Sequence, residues 1–168
     1  MTEQQKELVM TNIAKMADLD ELKLIELSEI HKKIGIDSVG LQNILYSLAG
    51  EGYINELPKV INDFNKDEVV IKITHSGINK CLTSNQEKQI NLVLTIIAEI
   101  AEDNIFKPVG FIEILEKADI DCDKLENIVI FLGKQDYIKN RHKVLKHGSA
   151  EIYITDTGIA KGRSFNQG

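Results

Sequence analysis

Two stretches of this chain are close copies of each other. "NILYSLAGEGYI" occupies Asn43–Ile54, and "NIVIFLGKQDYI" occupies Asn127–Ile138, 84 residues further on. Displacing the sequence by 84 aligns residues 8–54 with 92–138 without a gap, and 18 of the 47 aligned pairs are identical. Unrelated segments of such composition would share about three, so the repeat is real. A second block, "IKITHSGI" (Ile71–Ile78), answers "IYITDTGI" (Ile152–Ile159) at a shift of 81. The three-residue change falls between the matched blocks, where a loop absorbs it. The chain of 168 residues therefore reads as two copies of one unit, with domains expected at 1–83 and 84–168.

Both copies carry the same order of elements. A first helix has apolar residues at helical spacing: Leu8, Val9, Ile13 and Met16, then Leu92, Val93, Ile96, Ile97 and Ile100. Thr2 with Gln5, and Ser84 with Glu87, have the spacing of a capping box. A second helix is expected over roughly 22–33, and its counterpart from near Pro108, a residue suited to a first helical turn. Glu29 with Lys33, and Glu113 with Lys117, stand four apart and are expected to make weak surface contacts. A third helix starts at Asp37 or Ser38, and at Asp121 or Cys122, because an Asp carboxylate can accept an orphan backbone N–H. Its apolar stripe is Leu41, Ile44, Leu45 and Leu48, then Leu125, Ile128, Val129 and Leu132. Short strands follow at Tyr53–Ile54 and Tyr137–Ile138, then a polar loop, a second strand and a last short helix. Thr74 and Thr155 are placed to cap that helix, and Gly77 and Gly158 allow close packing behind the caps. The expected class is α+β, mostly helical.

Composition excludes several function classes. At 43% hydrophobic the chain can build a core. No apolar run approaches the ~18 residues of a membrane span. The polar, acidic opening "MTEQQKELVM" is unlike a secretory signal. Cys81 and Cys122 are isolated and lack ligand spacing, so they read as small hydrophobes in a reducing, cytoplasmic setting. No Walker loop, dinucleotide turn, nucleophile elbow or H-E-x-x-H appears, so neither catalytic residues, a metal nor a cofactor is expected. The formal net charge is −6. Such a balance disfavours non-specific nucleic-acid binding, because phosphate contacts supply most of that affinity, yet it leaves room for a local basic patch.

Three helices, a β-hairpin, and an Ile-Thr-x-x-Gly-Ile closure into a last helix resemble the winged-helix branch of the helix-turn-helix superfamily. The frames "GYI … ITHSGI" and "DYI … ITDTGI" look like those of MarR- and PadR-type regulators. The resemblance covers nearly the whole chain, twice. It implies two tandem winged-helix domains, each a three-helix core plus a β-hairpin wing. The third helices would be the recognition helices, and the loops at roughly 55–68 and 139–149 would be the wings. It further implies a transcriptional regulator that binds DNA as a homodimer.

The residues divide between that function and another. The first recognition helix has no Lys or Arg; its outer face is read as Ser38, Gln42, Asn43, Tyr46 and Ser47. Asn suits adenine, and Asn43 recurs as Asn127. In the second wing, "KNRHKVLKH", Lys139, Arg141, Lys143 and Lys146 would reach phosphate; a solvated hairpin edge explains the same lysines. His142 and His147 lack a third ligand in that loop, so no metal is expected there. Ile130 and Phe131 fall off the apolar stripe, with Asp123 and Glu126 nearby. An exposed Ile-Phe pair beside acids would repel phosphate and suit a protein partner. The competing function is thus a protein-interaction adaptor. Its tandem acidic layout is similar to the chromosome-segregation protein ScpB or the winged-helix subunits of ESCRT complexes.

Overall fold

The computed structural model describes residues 2–55, 70–140 and 150–165. The chain divides into two units, Met1–Thr83 and Ser84–Gly168. The first contains α1 (Glu3–Ala17), β1 (Ile25–Glu26), α2 (Leu27–Ile34), α3 (Ser38–Gly50), β2 (Ile54–Asn55), β3 (Val70–Ile73) and α4 (His75–Lys80). The second repeats that order as α5 (Ser84–Ala101), β4 (Val109–Gly110), α6 (Phe111–Ala118), α7 (Cys122–Lys134), β5 (Ile138–Asn140), β6 (Glu151–Ile154) and α8 (Asp156–Phe165). Each unit is α+β and mostly helical, with one small antiparallel sheet of order β1-β3-β2 or β4-β6-β5. No helix among the described residues is long and apolar enough to cross a membrane.

The apolar stripes read from the repeat form the two cores. In the first unit Val9, Ile13, Ala17, Ile30, Leu41, Ile44, Leu45 and Leu48 are buried against Ile54, Ile71 and Ile73 of the sheet. In the second, Val93, Ile97, Ile114, Leu125, Ile128 and Leu132 are buried with Ile138, Ile152 and Ile154. The first helix of each unit is the hub, since α1 packs on α2, α3, α4 and β3, and α5 packs on α6, α7, α8 and β6.

The second helix starts later than its spacing suggests. Residues 25–26 form a strand instead, with Ile25 opposite Ile71, and Val109 opposite Ile152 in the second unit. Pro108 therefore precedes a strand and is not in a helical turn. Leu22, Ile25, Leu27 and Ile30 suggest a helix by period, and the last three are buried, but Leu22 is 79% exposed and lies before the strand. A ladder partner 46 positions away in sequence decided this, and local periodicity carries no trace of it. The four-apart contacts are also absent: Glu29, Lys33, Glu113 and Lys117 make no ion pair among the described residues.

Capping follows the sequence except at Ser84, expected as a cap, which is itself the first residue of α5. Thr2 and Gln5 form a reciprocal capping box on α1. Asp37 accepts from the Gly40 N–H at 2.9 Å, and Asp121 from the Lys124 N–H at 2.8 Å. Replacing either Asp by Ala is expected to cost about 1 kcal/mol. Chemical denaturation should show it as a lower midpoint with an unchanged slope.

One closing motif recurs in both units. The Thr74 hydroxyl donates to the Gly52 carbonyl at 2.7 Å and accepts from the Gly77 N–H at 3.1 Å. Thr155 does the same with Asp136 at 2.7 Å and Gly158 at 3.0 Å. Gly52 and Asp136 both adopt positive φ, 76° and 58°. The motif ties the turn after the third helix to the start of the last helix. It thereby sets where the third helix ends relative to the sheet.

Candidate nucleic-acid interface

The outer face of α3 is uncharged, because Ser38–Gly50 contains no Asp, Glu, Lys or Arg. Ser38, Val39, Asn43 and Tyr46 are exposed on it. The Gln42 amide reaches the Tyr46 hydroxyl at 3.5 Å. Ser47 is engaged elsewhere, donating to Glu51 at 3.0 Å. That bond and the Lys6 ammonium, which contributes most, hold the Glu51 carboxyl below the usual glutamate range. Asn43 has no hydrogen-bond partner among the described residues, so its amide points to solvent unpaired.

The equivalent face of α7 is different. Asn127 is half-buried and likewise unpartnered among the described residues. Around it stand exposed Asp123, half-buried Glu126 and Ile130, which is 45% exposed. Phe131 does not belong to this face. It is only 4% exposed, so the expected Ile130–Phe131 surface pair is corrected to Ile130 alone. At about 100° per residue Phe131 flanks Ile128, three positions earlier, and widens the buried arc beyond the four-residue stripe. In α3 the same position is Ser47, so the first unit buries a narrower arc there.

Lys139 lies exposed on β5, opposite Tyr153 of β6. Arg141, Lys143, Lys146, His142 and His147 lie outside the described residues, as does most of the first wing. The other arginine, Arg163, is committed within its own unit: it binds Asp103 through Nε at 3.1 Å and Nη2 at 2.5 Å.

Each unit also has a place between the loop before its first strand (β1 or β4) and the start of its last helix (α4 or α8). In the first unit Glu21 and His75 bridge it, with Oε1 3.2 Å from Nδ1. The repeat puts Ile105 and Asp156 at those positions, which cannot form that pair. There the second unit has an open groove of about 890 Å³ lined by Ile105, Phe106, Lys139, Tyr153 and Asp156. Phe106 is 80% exposed. No local pattern marks this groove, although the repeat shows that Glu21 and His75 are not kept in the second unit.

Exposed apolar side chains recur at repeat-equivalent positions. Leu8 and Leu92 are 48% and 45% exposed, Leu22 and Phe106 79% and 80%, and Tyr46 and Ile130 38% and 45%. Single exposed hydrophobics are ordinary. Their recurrence in register in both units is the informative part.

Compared with known protein families, curated proteins and solved structures, the chain matches none.

Proposed function

We propose that each unit is a winged-helix domain and that the chain is a DNA-binding transcriptional regulator, acting as a homodimer. The observation that carries this reading is the outer face of α3. The helix has no carboxylate of its own, Glu51 lying just past its end, and it presents the unpartnered Asn43 amide on the same face as Tyr46. A neutral helix of this kind can enter a major groove without repelling phosphate, and an Asn amide can pair with adenine in two places. Lys139, Arg141, Lys143 and Lys146 are assigned by sequence to phosphate contact from the second wing. The element order and the strand order in each unit support this domain type.

The test is a binding titration on mixed genomic duplexes across several salt concentrations. Arg141→Ala with Lys143→Ala is expected to flatten the salt slope by about 0.9 for each lost contact, for every sequence alike. Asn43→Ala is expected to leave the slope unchanged and to lose about 1–3 kcal/mol of discrimination at a preferred site. No binding by the unaltered protein at low salt would sink the reading.

The recurrence of exposed apolar positions favours a second reading, an adaptor that binds another protein. Under it the wing variants are silent, and Ile130→Asp abolishes the partner's binding. A strictly monomeric mass at high micromolar concentration would count against the homodimer and so favour the adaptor.

A further inference from the structure

Three lysines of the first unit converge on one groove of about 480 Å³: Lys15 in the last turn of α1, Lys23 before β1, and Lys33 near the end of α2. All three are exposed, and none of their ammonium groups has an ion-pair or hydrogen-bond partner among the described residues. Asp18 and Glu29 also line the groove, so the positive excess is a single charge on a chain whose net charge is −6. The repeat supplies an internal control. In the second unit Lys15 is replaced by Glu99 and Asp18 by Glu102. Lys23 is kept as Lys107, but it is held by Glu102 at 2.5 Å, which pulls that carboxyl below its usual range. Lys33 is kept as the exposed Lys117, so among the described residues the second unit has one unpaired ammonium at these three positions where the first has three.

Lys33 also stands close in the chain to the proposed reading helix. Lys33 comes two residues before Gly35, whose φ of 68° turns the chain, and four before the α3 cap Asp37. We infer that the Lys15–Lys23–Lys33 groove is a phosphodiester-binding site, which fastens a nucleic-acid backbone alongside the first unit. The inference rests on the DNA-binding reading and adds phosphate contacts that do not come from the wing. It also makes the units unequal: the first one grips the backbone, and the second unit's equivalent surface does not.

The test compares the full chain with a Lys15→Gln, Lys23→Gln, Lys33→Gln variant and with a variant carrying Arg at all three positions. Each is titrated with a short mixed-sequence DNA duplex at several salt concentrations, and separately with phosphatidylserine vesicles. The charge-removing variant is expected to lose about tenfold or more in low-salt affinity and about 0.9 of slope per lost contact. The Arg variant should keep both, and thermal melting should be unchanged in all, since the three side chains are exposed. An unchanged slope in the charge-removing variant overturns the inference and leaves the DNA reading standing. So does lysine-dependent capture by vesicles with an unaltered DNA slope, which would assign the groove to a lipid headgroup. Failure of the unaltered chain to bind DNA at all removes the underlying function and the inference together.

Discussion

Gly77→Ala and Gly158→Ala are each expected to destabilise their own unit by about 3 kcal/mol. Neither glycine has a positive φ; the constraint is space. A Cβ on Gly77 would overlap the Tyr53 carbonyl oxygen and come within 2.8 Å of Ile73 and Met10 side chains. On Gly158 it would overlap the Tyr137 carbonyl oxygen and lie 3.0 Å from Ile154. Those carbonyls already accept from the backbone N–H of Thr74 and Thr155, at 2.9 and 3.1 Å. They cannot move away without opening the turn after the third helix. The obstacle is backbone, so no side-chain rotation relieves it. Gly133→Ala is the control, because nothing lies within 4 Å of its added Cβ in α7. Helix propensity alone predicts that it stabilises by about 0.5–1 kcal/mol. Denaturant unfolding of the three variants reads the contrast. Equal midpoints for Gly158→Ala and the unaltered chain would refute the close-approach argument.

Phe131→Asp and Ile130→Asp should behave oppositely, although they are neighbours. Phe131 is 4% exposed, so Asp there leaves both a cavity and a carboxylate in apolar surroundings. A loss above about 4 kcal/mol is expected, enough to unfold the second unit. Ile130 is 45% exposed, and its change to Asp is expected to cost no more than about 1 kcal/mol. Circular dichroism melting of the two variants separates them. The contrast also decides what a binding assay can mean. Loss of a partner by Ile130→Asp reports on a surface, whereas loss by Phe131→Asp reports only on folding. If Ile130→Asp melted as low as Phe131→Asp, the exposed apolar face of α7 would not exist.

Duplication was legible in the sequence because both copies had to solve one packing problem. Leu41, Ile44 and Leu48, and their partners Leu125, Ile128 and Leu132, recur at the spacing of a helix face that meets a core. The caps were legible too: Asp37, Asp121, Thr74 and Thr155 act on N–H groups three residues away, so their partners are implied by position. Exposure of Asn43 and Ile130 followed from helical period alone.

What only the tertiary structure decided depends on residues far apart in the chain. The strands at Ile25 and Val109 exist because Ile71 and Ile152 lie opposite them. Phe131 is buried because the core of the second unit takes a wider arc of α7 than the first takes of α3, a difference that a four-residue stripe does not encode. The convergence of Lys15, Lys23 and Lys33 on one groove required three separate parts of the chain to be folded together, and that of Ile105 and Phe106 with Tyr153 on another required two. Periodicity and capping act within a turn or two of chain. Grooves and ladders are set by long-range packing, which no local pattern contains.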